Sequence, residues 1–136
     1  MQPESKLWRM VQKKLPGRSW RLEVATAVGI PDVINVTRGT TSLIELKIAK
    51  GNLIYLRKSQ WVWLCQYISQ SGKNAWLLTS DQGRLSICNY TELRGLDADE
   101  DRRYHRFNKD EVFKVSQFSG DSFTDIMSQF RVYLEK

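Results

Sequence analysis

The sequence predicts a mixed α/β domain whose sheet is partly antiparallel, and three patterns carry that prediction. Apolar residues recur at helical spacing in 4–15, 58–71 and 121–135. Short alternating or β-branched runs occupy 20–24, 33–37, 42–48, 75–79 and 85–90. Turn residues, several of them glycine, separate the runs.

Taken in order, Leu7, Trp8, Val11 and Leu15 mark an amphipathic first helix that Pro16-Gly17 ends. Trp20, Leu22 and Val24 share one face of a short strand, and Ala25 to Gly29 follows as a loop. Arg38-Gly39-Thr40-Thr41 joins strands 33–37 and 42–48 as a hairpin. After a connector containing Lys50-Gly51-Asn52, the second helix places Trp61, Leu64, Cys65 and Ile68 on one stripe, with Ser71-Gly72 as its close. Strands 75–79 and 85–90 flank the Asp81-Gln82-Gly83 turn. A charged loop over 97–111 leads to a strand near 112–116. The last helix carries Phe123, Ile126, Met127, Phe130, Tyr133 and Leu134 on its apolar side.

At 136 residues the chain is read as one domain, with a motif-bearing core in 1–80 and a C-terminal part in 81–136. Its 41% hydrophobic and 11% aromatic content is that of a chain with a core. No apolar run approaches the ~20 residues of a membrane helix. The N-terminus has no signal-peptide pattern. Two cysteines, Cys65 and Cys88, make no disulfide framework, so the expected setting is a reducing cytoplasm. One histidine, His105, rules out a histidine pair and, with two cysteines, an ordinary zinc site. No phosphate-binding glycine loop is present, so no nucleotide cofactor is expected. The remaining chemistry rests on carboxylates, lysines and a hard metal ion.

Charge is uneven. Residues 1–60 hold 11 Lys/Arg against 4 Asp/Glu, and residues 61–136 hold 10 against 11. A positive field confined to one half favours a polyanion. Lys13, Lys14, Lys50, Arg57 and Lys58 are the candidate phosphate contacts.

The sharpest motif is Gly29-Ile30-Pro31-Asp32 followed, 13 positions after Asp32, by Glu45-Leu46-Lys47. Glu45 and Lys47 point to one face of a strand and Leu46 to the other. If the hairpin closes with Thr37 opposite Ser42, Asp32 lies across from Lys47 and Ile34 across from Glu45. The two carboxylates then sit on a diagonal of one face. Converging carboxylates suit Mg²⁺, with Mn²⁺ as substitute. Such an ion neutralises a phosphate and acidifies a water that attacks phosphorus. A neighbouring lysine supplies charge to the developing oxyanion, or orients or deprotonates the water.

The series G-I-P-D, strand, I-E-L-K, then Leu56, Gln60, Trp61 and Leu64, then S-G-x-x-A-W-L-L resembles the PD-(D/E)xK nuclease superfamily. Within it, residues 4–80 resemble the stand-alone virus-type replication-repair nuclease domain (VRR-NUC) of phages. The resemblance implies a restriction-endonuclease-like core, a mixed sheet flanked by helices. It implies Asp32, Glu45 and the Leu46 carbonyl as metal ligands and Lys47 as the catalytic lysine. Glu4 becomes an outer carboxylate on the metal or its water, and Gln60 the helix glutamine near the site. Glu4 also fits a first-turn acid, Gln60 a half-buried helix side chain, and Glu23 either a second site acid or a polar strand face. His105 is read as part of a solvated loop, and one of Trp61 and Trp63 as partly exposed.

The implied activity is a metal-dependent endonuclease selective for branched DNA such as four-way junctions, acting as a homodimer on no membrane. A flap or restriction-like nuclease shares this active site, and a non-catalytic DNA-binding module shares the fold.

Overall fold

The computed structural model describes residues 3–22, 29–70 and 73–136. Its elements run α1 Pro3–Gln12, β1 Arg18–Arg21, β2 Val33–Thr37, β3 Thr40–Ile48, β4 Leu53–Arg57, α2 Lys58–Gln70, β5 Ala75–Asp81 and β6 Arg84–Asn89. They continue with α3 Tyr90–Leu93, β7 Asp99–Glu100, β8 Tyr104–Asn108, α4 Lys109–Val115, β9 Phe118–Gly120 and α5 Phe123–Leu134. The expectations for Glu23, for the loop up to residue 28 and for the Ser71-Gly72 helix end lie outside the described residues.

A six-stranded sheet has the order β1-β2-β3-β5-β6-β9. Its pairs are antiparallel except β3 with β5. That parallel pair needs a crossover, which β4 and α2 supply. Helices α1 and α5 cover one face through Leu7, Val11, Ile126, Met127 and Phe130, packed on Val33, Ile44, Leu46, Trp76, Leu78 and Ile87. The other face is covered by α2, α3, α4 and a three-stranded sheet of order β4-β8-β7, around Ile54, Leu56, Leu64, Leu77, Tyr90 and Phe107. The mixed sheet flanked by helices is the architecture expected from sequence.

Three local expectations are corrected. Strand β4 forms within the 49–57 connector, because Ile54 and Leu56 turn inward together and their backbone pairs with β8. β8 itself lies in the expected charged loop 97–111, where Phe107 is buried in the second core and His105 packs on Trp61. The strand expected near 112–116 is instead helix α4, capped by Asn108, whose side chain accepts from the Asp110 and Glu111 N–H groups.

His105 is therefore not in a solvated loop. Its side chain is 12% exposed, packs on Trp61 at 5.1 Å between ring centroids, and faces Glu100 at 3.2 Å. Burial holds its pKa below the ordinary histidine value. Trp61 and Trp63 are both partly buried, the latter stacked on Tyr67, and the half-exposed tryptophan is Trp20. The apolar face of α5 is spent on the core, leaving Val132 and Tyr133 outside.

Gly29 joins the site to the scaffold. Its φ is +81°, and a Cβ there would sit 2.2 Å from the Ser59 carbonyl oxygen. The segment carrying Asp32 thus packs directly on the first turn of α2, which carries Gln60. Gly29→Ala should cost more than ~1 kcal/mol in a urea melt, since the new methyl meets backbone in a left-handed conformation. An unchanged midpoint would show that the segment packs differently.

Candidate active site

The hairpin that brings the motif together turns in two residues. Arg38 and Gly39 both have positive φ, so Thr37 pairs with Thr40. The expected four-residue loop gave Thr37 opposite Ser42; the observed register is shifted by two, with Ile34 across from Leu43 and Val33 across from Ile44. Continued one step, Asp32 lies across from Glu45 and no longer from Lys47. A two-residue shift preserves the face of every side chain, so Asp32, Glu45 and Lys47 still converge.

Asp32 Oδ2 accepts from the Leu46 N–H at 3.0 Å, which locks the turn to β3. The Leu46 side chain points away into the α1–α5 core. Glu45 is 1% exposed. Its Oε2 accepts from Gln60 Nε2 at 2.9 Å and stands 3.8 Å from Lys47 Nζ. Gln60 is itself fixed, because its Oε1 accepts from the Arg57 N–H at 2.9 Å. Helix α2 therefore begins at the site in order to hold Glu45.

Glu45 Oε1 is buried with no donor. Desolvation first, then the Asp32 carboxylate, raise the Glu45 pKa well above the usual glutamate range, against the pull of Lys47. Asp32 also offers a hydrogen bond to the protonated form alone. Two acceptors facing each other must be bridged by a proton or a cation. Such a donor set fits a hard divalent ion. Among the described residues no three His, Cys, Asp or Glu side chains close into a cage around such an ion, so coordination has to draw on backbone, water or a phosphate oxygen.

A cleft of about 250 Å³ opens on this pair and is lined by Glu4, Lys47, Lys50, Arg57, Gln60 and others. Glu4, from the first turn of α1, faces the carboxylates from the rim. Of the candidate phosphate contacts, Lys50 and Arg57 line the cleft and Lys58 begins α2 beside it. Lys13 and Lys14 lie just beyond the opposite end of α1, which at 10 residues is about 15 Å long. Tyr55 and Tyr104 also line the cleft, and neither stands among the site residues expected from sequence. The alternation in Leu53–Arg57 was the available signal for Tyr55; Tyr104 was hidden in a charged run.

No helix among the described residues is long and apolar enough to cross a membrane, and Cys65 and Cys88 are unpaired. A family model described as archaeal Holliday junction resolvase (Hjc) matches residues 22–117. Among solved structures, that of Archaeoglobus fulgidus Hjc, described as a Holliday junction resolvase from an archaeal hyperthermophile, is similar with a TM-score of 0.58 at 14% identity. The likeness covers 90% of this chain and 98% of that one. It shows the restriction-endonuclease-like fold. No curated protein matches the chain.

Proposed function

The chain belongs to the archaeal Holliday junction resolvase (Hjc) family, a PD-(D/E)xK-type nuclease family, and from that premise we propose how it works. It is a metal-dependent endonuclease that hydrolyses phosphodiester bonds in branched DNA. The observation that carries the reading is a buried Glu45 whose Oε1 has no donor, beside the Asp32 carboxylate in one cleft, with Lys47 and Gln60 on its other oxygen.

Asp32, Glu45 and the Leu46 carbonyl are the proposed ligands of Mg²⁺, for which Mn²⁺ substitutes, with Glu4 acting on the ion or its water from the rim. Such an ion, when bound, would supply charge neutralisation at the phosphate and a more acidic water. Gln60 keeps Glu45 in one rotamer. Lys47 presents its ammonium to the non-bridging oxygens, whose negative charge grows as the water oxygen bonds to phosphorus and the leaving oxygen departs. Lys50, Arg57 and Lys58 hold the flanking phosphates. Lys13 and Lys14, at the far end of α1, meet a more distant arm.

Within the superfamily, the VRR-NUC subclass remains our narrower proposal, supported by the element order of residues 4–80 and by Gln60 on Glu45. Residues 1–136 act as one domain, since both apolar layers share one sheet. Unpaired cysteines support a cytoplasmic setting.

The direct test incubates the protein with a labelled four-way junction, a flap and a linear duplex, in Mg²⁺ or EDTA. Junction cutting that EDTA abolishes is expected. Preference for the flap would move the substrate to the flap or restriction-like class, and no cutting in either Mg²⁺ or Mn²⁺ would leave only a binding module.

Binding should weaken with salt. Neutralising about four phosphates gives a log–log slope near −3.6. Alanine at Lys50, Arg57 or Lys58 should flatten it more than alanine at Lys13 or Lys14. Equal effects at all five would place the DNA along the whole of α1.

Junction resolution needs two cuts, and one Asp32–Glu45–Lys47 cluster makes one at a time. A two-fold homodimer presents two such sites to a pseudo-symmetric substrate. Sedimentation at micromolar concentration should give about twice the 15.9 kDa chain mass. A monomer on DNA would favour nicking or flap cleavage.

A further inference from the structure

The small sheet does more than close the second core. In β4 and β8, Tyr55 pairs with Arg106 and Arg57 with Tyr104, so these four side chains share the outward face while Ile54, Leu56 and Phe107 fill the core. The tyrosines occupy one diagonal of that face and touch edge to face, with centroids 5.6 Å apart at 87°. The arginines occupy the other diagonal. Arg106 is neutralised by Asp99 and Asp101. Arg57 has no ion-pair partner among the described residues and lines the cleft with both tyrosines. Lys50 stands 6.0 Å from the Tyr55 ring.

An aromatic pair flanked by free cations is the chemistry of a nucleotide subsite: ring against base, cation against phosphate. Here it forms one wall of the same cleft whose floor is Asp32, Glu45 and Lys47. A neighbouring groove shares Glu4, Ile48 and Lys50 with that cleft and adds Ser5 and Arg21, so the trough continues past the carboxylates with no aromatic lining among the described residues. The trough is therefore aromatic and cationic on one side of the carboxylates, and on the other is lined by Arg21, Lys50 and Glu4.

Resting on the nuclease reading above, we propose that Tyr104 with Tyr55 stacks on the branch-point base beside the scissile phosphate, and that this pair is a specificity determinant for branched DNA. In continuous duplex each base is already stacked on both sides, and drawing one out is costly. At a branch point that stacking is interrupted, so the base is available to the tyrosine wall. Selectivity then arises from the state of the base, with no sequence readout.

The test leaves the protein intact first. Four-way junctions carrying an abasic residue at each position flanking the cut, one at a time, are compared with the parent junction under single-turnover conditions in Mg²⁺. At one position the wild-type protein should lose about 10-fold in apparent affinity, the size of one base–aromatic stack. Tyr104→Leu should lose the same on the parent junction and nothing further on the abasic one. Tyr104→Phe should recover the wild-type value. With Ca²⁺ replacing Mg²⁺, 2-aminopurine at that position should be quenched by wild type and Tyr104→Phe but stay bright with Tyr104→Leu. Arg21→Ala should weaken parent and abasic junctions alike.

Equal wild-type affinity for every abasic junction, with cutting intact, overturns the stacking inference alone. So does an additive loss for Tyr104→Leu on the abasic junction. Failure of wild type to cut any DNA overturns the nuclease reading, and the inference falls with it.

Discussion

Glu45→Gln should yield a protein that melts a few degrees higher than wild type at pH 8 in EDTA, yet cuts junctions about 10³-fold more slowly in Mg²⁺. The two effects have one cause. Burial and the facing Asp32 raise the Glu45 pKa in the folded protein, so the folded state holds a proton that the unfolded state releases near the ordinary value of 4.5. Wild-type stability therefore falls as pH rises from that value towards the raised one. Glutamine keeps an oxygen for Gln60 Nε2 and has no proton to lose, so its advantage should be small at pH 5 and grow by pH 8. About 1 kcal/mol corresponds to ~4 °C in a chain of this size. Mg²⁺ should lift the wild-type midpoint and leave the variant's unmoved, because one of the two proposed carboxylate ligands is gone. The lost rate follows from the lost ion. A variant less stable than wild type at pH 8 would mean that Glu45 is ionised in the free protein, held so by Lys47.

Lys47→Met should separate binding from chemistry. Asp32, Glu45 and Gln60 remain, so Mg²⁺ should still raise the melting midpoint and junction affinity should change little. The single-turnover rate should fall by about 10²-fold or more, the scale for loss of one preorganised stabiliser of transition-state charge. Lys47 is 15% exposed in its side chain and stands 3.8 Å from Glu45, close enough to act at the carboxylates and open enough to reach a phosphate. A variant that loses affinity and keeps its rate would make Lys47 a phosphate contact.

Much of this was legible in the sequence, for identifiable reasons. Strand periodicity put Glu45 and Lys47 on one face, and helical periodicity put Leu7, Val11 and the α5 residues inward. Both are properties of a few consecutive residues. The hairpin register was not legible, because either loop length kept the same faces. Only the positive φ of Arg38 together with Gly39 selects the two-residue turn that pairs Thr37 with Thr40 and Val33 with Ile44.

The sequence by itself set two carboxylates and a lysine at motif spacing, with strand alternation fixing the common face of Glu45 and Lys47. Tertiary structure decided what those groups experience. The burial of Glu45, its hold by Gln60 from 15 positions away, and Gly29 against Ser59 are long-range contacts that no local pattern encodes. The β4–β8 sheet is the clearest case. Tyr55 and Tyr104 lie 49 positions apart in runs that read as connector and charged loop. They meet on the cleft wall because an unpaired backbone in β4 needs hydrogen-bonding partners, and β8 is the strand that supplies them.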